Sequence, residues 1–142
     1  MLTAAVLGAS WATLQCFRLL YAKHRRIDTA PFSHAEPTPA RRFLIVGDST
    51  GVGIGSVDSR STVAGRLAAA FPGTVIVNHA RDRARSFDIP AQIATSTGRF
   101  DLILILVGGN DVTRFSSYQA VLVAAEHALD VNYARKLGVN VD

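Results

Sequence analysis

The chain has 142 residues, about the size of one ordinary domain, and it is 49% hydrophobic and 18% charged. This composition excludes a disordered or collagen-like chain. The single cysteine, Cys16, excludes a disulfide framework and a zinc site built from several thiolates. The formal net charge of +4 lies in residues 1–42, whereas residues 43–142 carry nine basic and nine acidic side chains. A neutral domain lacks the basic footprint of a nucleic-acid binder, so no nucleic-acid partner is expected.

The first segment of the chain is apolar. Residues 1–17 contain no ionisable side chain, and the apolar run resumes after Arg18 until a basic cluster at residues 23–26. Because roughly 20 apolar helical residues span a bilayer core, residues 1–22 are predicted to form a hydrophobic membrane-anchor helix, with Arg18 reaching the headgroups. The basic cluster follows the apolar run, which favours an uncleaved anchor over a signal peptide and places the domain on the cytoplasmic face. The alternative is a buried amphipathic helix.

Residues 23–42 are predicted to form a basic, proline-containing linker that leads into a domain over residues 43–142. Apolar, β-branched runs in that domain predict three strands, and the segments between and after them have helical composition. The predicted strands cover residues 43–46, 74–77 and 102–107, and the predicted helices run over residues 62–71, over residues 86–97, and from a Ser116 or Ser117 cap toward residue 136.

Alternating strands and helices predict a parallel sheet between two helical layers, which is a flavodoxin-like three-layer α/β/α fold. In such sheets the ligand lies beyond the carboxyl ends of the strands. The notable polar motifs all follow strands: Gly47-Asp48-Ser49, Asn78, and Gly109-Asn110-Asp111. We therefore expect these motifs to gather at one edge of the sheet.

The glycine-rich segment at residues 47–55 does not match either common phosphate-binding pattern. A dinucleotide fingerprint that starts at Gly51 has Ser56 where its third glycine is required, and a P-loop that starts at Gly47 has Val52 in place of its second glycine and lacks the lysine. A nucleotide-binding domain therefore stays only a third possibility.

A serine nucleophile fits this segment better. Ser49 stands two residues past the first strand, in a turn that leaves its hydroxyl exposed and backbone N–H groups free to stabilise an oxyanion. Asn110, past the third strand, offers a side-chain amide to the same oxyanion. The structural alternative is that Ser49 caps a helix or turn and that Asn110 forms an Asx-turn.

These motifs, over roughly residues 43–111, resemble the first three sequence blocks of the SGNH (GDSL-type) esterases and lipases. The blocks are Gly47-Asp48-Ser49, Asn78, and Gly108-Gly109-Asn110-Asp111. The resemblance implies that Ser49 is the catalytic nucleophile and Asn110 an oxyanion donor, with supporting roles for Asp48, Asn78, Gly109 and Asp111. It also implies hydrolysis of acyl or acetyl esters on small molecules, glycans or lipids, without a metal or other cofactor.

The chain departs from the family pattern at two places. The second block usually reads N-x-G-x-x-G, and the resemblance implies that the N–H of its later glycine binds the oxyanion. Here Ala80 and Arg83 replace the two glycines. A positive φ is disfavoured for a bulky side chain, which argues against the Arg83 N–H as a third oxyanion donor. The family also has an Asp-x-x-His whose histidine is the base, and no such motif occurs in these 142 residues. His79 follows the second strand, but a surface or turn histidine is the favoured interpretation, and a serine without a base is a poor nucleophile.

The third predicted strand is apolar on both faces, which is typical of a central strand. In a three-stranded order 2-1-3 it would be an open edge, so we expect an incomplete domain, truncated before the Asp-x-x-His block; residues 136–142 resemble a helix end followed by a new strand. The sequence thus predicts a membrane-anchored serine ester hydrolase, impaired as it stands. The alternative from another class is a non-catalytic α/β binding or scaffolding module.

Overall fold

The computed structural model describes the backbone of residues 30–137 and the side chains of residues 30–130. Strands and helices alternate in the predicted order. The strands are β1 (Arg41–Gly47), β2 (Thr74–Asn78) and β3 (Leu102–Leu106), and the helices are α1 (Ser49–Val52), α2 (Val63–Ala70), α3 (Ile89–Ala94), α4 (Gly109–Thr113) and α5 (Tyr118–Leu137). The anchor predicted for residues 1–22 and the strand predicted after residue 137 lie outside the described residues.

The three strands form one parallel sheet in the order β2-β1-β3. This order confirms the flavodoxin-like α/β prediction. Ile45 pairs with Asn78 on one side, and Gly47 pairs with Leu106 on the other. The carboxyl ends of all three strands therefore meet at one edge of the sheet, as a parallel arrangement requires.

Both faces of the sheet are buried, because successive side chains of a strand point to opposite faces. One face packs against α3 and α5, and the other packs against α2. The first cluster contains Leu44, Val46, Ile89, Ile93, Phe100, Ile103 and Ala128, and the second contains Phe43, Ile45, Ala64 and Ile76. The result is a helix–sheet–helix sandwich in three layers.

Side-chain caps set the starts of two helices. Thr62 Oγ1 accepts a hydrogen bond of 3.0 Å from Gly65 N at the start of α2. Ser117 Oγ accepts one of 3.2 Å from Ala120 N at the start of α5, which confirms one of the two predicted caps. Such caps satisfy N–H groups that have no partner inside the helix.

The second predicted helix is shorter than expected. It begins as a 3₁₀ turn over Ser86–Asp88, continues as α3 and ends at Ala94 instead of near residue 97. Thr95 Oγ1 donates to the Gln92 carbonyl at 2.8 Å, and Gly98 follows with a φ of 78°. Hydroxyl side chains compete with the helix for its carbonyls, and the left-handed glycine then turns the chain toward β3.

The two edges of the sheet differ. On the β2 side, His34 exchanges two backbone hydrogen bonds of 2.9 Å with Ile76, so part of the predicted linker covers that edge. On the other side, β3 pairs with β1 alone within residues 30–137. In that same range, no helix is long and apolar enough to cross a bilayer.

Candidate active site

Ser49 is the first residue of the one-turn helix α1. Asp48, which is 4% exposed, caps this helix by accepting a hydrogen bond of 2.8 Å from Thr50 N. The Asp48 N–H donates to the Leu106 carbonyl at 2.8 Å, which ties the turn to β3. The helix cap is therefore Asp48 and not Ser49, and the sequence did not predict α1 because four residues are too few to show a period.

The Ser49 hydroxyl is half-buried and forms no hydrogen bond within the part of the chain that the structure describes. Its backbone N–H stands at the first position of α1, where a helix has no internal acceptor. Both groups are thus free to contact a bound carbonyl.

Gly47 and Gln92 fix the turn that carries Ser49. Gly47 has a φ of 147°, and a Cβ at this position would collide with the Leu106 carbonyl, so only glycine fits. Gln92 is 1% exposed; its Oε1 accepts from Gly47 N at 2.7 Å and its Nε2 donates to Gly47 O at 3.0 Å. Sequence reasoning missed Gln92, because a glutamine 45 residues from its partner gives no local signal.

Asn78 braces α1 against the end of β2. Its Nδ2 donates to the Gly51 carbonyl at 2.9 Å, and its Oδ1 accepts from Ala80 N at 3.1 Å. The side chain is buried, and Ala80 packs so closely that a Cβ at Gly51 would overlap it. Asn78 therefore positions α1 through these contacts.

Asn110 and Asp111 lie in α4, directly after β3. Asn110 Nδ2 donates to the Ala84 carbonyl at 3.0 Å, so the amide is held against the loop that follows β2 and does not form an Asx-turn. A carboxamide nitrogen carries two N–H groups, so one bond leaves a second donor. Asp111 Oδ2 is buried and accepts from both N and Oγ of Ser86, at 3.0 and 2.9 Å.

The loop after β2 contains a backbone conformation that the sequence argued against. Arg83 has a φ of 64°, in the left-handed region that favours glycine, and its N–H forms no hydrogen bond within residues 30–137. Neighbouring hydrogen bonds hold the loop on both sides of it, from Arg81 N to Gly47 O at 3.0 Å and from Asn110 to Ala84. The positive φ is therefore present despite the bulky side chain, because the surrounding contacts maintain it.

His79 packs against the end of α3. Its Nδ1 lies 2.8 Å from Thr95 Oγ1 and 3.2 Å from the Gln92 carbonyl oxygen. Helix α3 covers the Leu44 face of the sheet, whereas Gly51 of α1 approaches Ile45 on the other face. The Nδ1 contacts of His79 thus lie on α3, and His79 also lines an open groove together with Val52 of α1.

The structure brings the strand-end motifs together at one edge of the sheet, where Asp48 N bonds the end of β3. A Cβ built on Gly109 would be 4.0 Å from Asp48 Oδ2, so the loops after β1 and β3 are neighbours. The loop after β2 reaches both, through Arg81 and Ala84. This edge offers a free hydroxyl, unpaired backbone N–H groups and a carboxamide, which are the groups that acyl transfer requires apart from a base.

A solved structure titled as a mutant of the esterase AlinE4 is similar to this chain, with a TM-score of 0.60 and 22% sequence identity. The similarity covers 73% of this chain and 57% of the esterase, so the chain spans little more than half of that protein's length. No protein-family model and no curated protein matches the sequence. The similarity shows that the fold is an α/β fold found in an esterase.

Proposed function

We propose that the protein is a serine ester hydrolase of the SGNH type, with Ser49 as its nucleophile. The observation that carries the proposal is the position of Ser49: its unpaired, half-buried hydroxyl lies at the carboxyl edge of the sheet, after a glycine that no other residue can replace. The esterase fold and the resemblance of the strand-end motifs support the same reaction.

In the proposed reaction, Ser49 Oγ attacks the ester carbonyl carbon, the bond between that carbon and the alcohol oxygen breaks, and the alcohol leaves with the proton that Ser49 gives up. Water then hydrolyses the acyl-enzyme, which releases the acid and restores the Ser49 hydroxyl. The oxyanion would be held by the Ser49 N–H, by the second N–H of Asn110 Nδ2 and by the Arg83 N–H. Asp48 and Gln92 would fix the turn, and Asn78, Gly109 and Asp111 would support the neighbouring loops. The substrate is an ester-bearing small molecule or lipid, and residues 1–22 would attach the protein to a membrane.

The rate expected of these 142 residues is low. They contain no Asp-x-x-His, and the described contacts of His79 are directed to α3. Oxyanion stabilisation without a base leaves roughly 10³–10⁴-fold acceleration over water, far below that of a complete site. The second candidate function is a non-catalytic binding module. The observation that favours it is that His79 Nδ1 contacts Thr95 and Gln92 instead of Ser49.

Covalent labelling separates the two functions. The chain is incubated with a fluorophosphonate, and the adduct is located by intact mass and peptide mapping. We expect labelling of Ser49, its loss in Ser49→Ala, and unchanged labelling in Ser56→Ala, which removes another half-buried hydroxyl of the same segment. A folded wild-type protein that stays unlabelled would refute the hydrolase and support the binding module.

The Asn110→Ala variant tests the oxyanion hole. We expect labelling at least about 100-fold slower, because the loss of one oxyanion donor typically costs that much. Since Asn110 also bonds the Ala84 carbonyl, the thermal midpoint of the variant must be measured alongside. An unchanged labelling rate in a folded Asn110→Ala protein would remove Asn110 from the proposed site.

A further inference from the structure

Residues 81–85, here called the arginine loop, concentrate positive charge at the proposed active site. The loop contains Arg81, Arg83 and Arg85 against a single acidic residue, Asp82, although residues 43–142 are neutral overall. Nothing in the proposed ester hydrolysis uses these three side chains, since only the backbone N–H of Arg83 enters it.

The backbone of the arginine loop is fixed relative to the proposed nucleophile. Arg81 N donates to the carbonyl of Gly47, two residues before Ser49, and the Ala84 carbonyl accepts from Asn110. The loop therefore runs across the sheet edge from the turn that carries Ser49 to the helix that carries Asn110. The side chains of Arg81 and Arg83 are exposed on this loop, beside the turn that carries Ser49.

The charges on this loop are only partly neutralised. The Arg83 side chain is 62% exposed, and its Nε lies 3.8 Å from Asp82 Oδ2, too far for a hydrogen bond. The guanidinium of Arg85 stacks 4.3 Å from the centre of the Phe87 ring. The nearby carboxylates of Asp48 and Asp111 are buried and accept hydrogen bonds from their own neighbours, and the carboxylate of Asp88 accepts a bond of 2.8 Å from Arg85 N.

An open groove of about 600 Å³ adjoins the loop at the end of β2, and Val52, Asn78, Arg81 and Asp82 are among the residues that line it. The groove is large enough for a small polar group of a substrate. Guanidinium groups bind carboxylate and phosphate oxygens through paired N–H donors, and such charge-assisted bonds are stronger than neutral ones.

We propose that the ligand of this site, which is the ester substrate under the proposed function, carries an anionic carboxylate or phosphate group that Arg81 and Arg83 bind. This proposal rests on the hydrolase site for the identity of the ligand as an ester. The charge preference itself comes from the arginine loop and is measured separately from the reaction.

The test compares the binding of monomethyl succinate, an anionic ester, with that of neutral dimethyl succinate, by NMR titration of backbone amides in the full chain. We expect the anionic ester alone to shift the amides of residues 81–85, and its Kd to rise about two- to five-fold in Arg81→Gln and in Arg83→Gln. Both variants keep the backbone N–H groups. The matched control is Arg99→Gln, an exposed arginine before β3 at the opposite edge of the sheet, where we expect no change.

The salt dependence of binding gives an independent measurement. Because salt screens exposed charges, about 0.5 M salt should remove most of the difference in affinity between the anionic and the neutral ester. Equal binding of the two esters, or an equal effect of Arg99→Gln, would overturn the proposal. So would variants that lose binding to phosphatidylserine vesicles but bind monomethyl succinate normally, because the loop would then be a membrane contact. If Ser49 resists the fluorophosphonate while the anion preference persists, the hydrolase fails and the anion site stands.

Discussion

Replacement of Arg83 by glycine should make the protein more stable. A left-handed φ costs a non-glycine residue about 1–2 kcal/mol, and the φ of Arg83 is 64°. Glycine removes that cost but adds about 0.5–1 kcal/mol of unfolded-state entropy. The free energy of unfolding should therefore rise by about 0.5–1 kcal/mol, and little is lost with the side chain because it is 62% exposed.

The matched control is Arg81→Gly, in the same loop and with the same loss of charge. Arg81 has no positive φ, so glycine should lower the free energy of unfolding by about 0.5–1 kcal/mol. The two variants should differ by about 1–2 kcal/mol, which is the backbone strain alone. In urea, where the free energy falls by about 1–3 kcal/mol per molar, their midpoints should be separated by about 0.5–1 M. If Arg83→Gly is destabilised as much as Arg81→Gly, the loop holds no strain at this residue.

Three further predictions concern stability. Gln92→Leu should lower the free energy of unfolding, measured in urea, by about 1–3 kcal/mol, because the buried N–H of Gly47 loses its acceptor. A decrease below about 0.5 kcal/mol would show that Gln92 does not hold Gly47 in place. Asp111→Ala should also lower the free energy of unfolding by about 1–3 kcal/mol, because the buried N–H and hydroxyl of Ser86 lose their acceptor. An unchanged free energy of unfolding would show that Asp111 does not stabilise Ser86. Hydrogen bonds from the side chain and then the backbone N–H of Ser61 hold the pKa of Asp58 below its ordinary value of 3.8. Its contribution to stability is therefore complete above pH 3.8 and lost as the pH falls through the lower folded pKa, so wild type and Asp58→Ala should converge in acid; a constant difference in unfolding scans from pH 7 to 2 would contradict this.

Local patterns in the sequence specify most of the sheet. The runs at residues 43–46, 74–77 and 102–107 are apolar and β-branched, and each gives a strand whose bounds differ by two residues or fewer at either end. The order β2-β1-β3 was also predictable, because parallel strands with helical connections permit few arrangements. Ser117 was predictable as a cap because a serine precedes a helical segment directly.

The finer geometry of the site depends on contacts between distant residues, which sequence patterns do not reveal. Gln92 reaches Gly47 across 45 positions, and Asn110 reaches Ala84 across 26. The positive φ of Arg83 was unexpected, because local preference opposes it and only the bonds on either side maintain it. The membrane anchor stays a prediction. The roles of Ser49 and Asn110 and the anionic substrate are predictions that the experiments above address.

The unequal edges of the sheet determine the direction in which it can grow. His34 already occupies the backbone groups of Ile76 at the β2 margin, whereas no strand lies on the far side of β3 within residues 30–137, so the open position for a fourth parallel strand, from this polypeptide or another, is beside β3. Because parallel strands end at the same edge of a sheet, such a strand would end beside the segment that joins β3 to α4. The loop after such a strand would begin at the same edge of the sheet that carries Ser49, which is where a base would be needed.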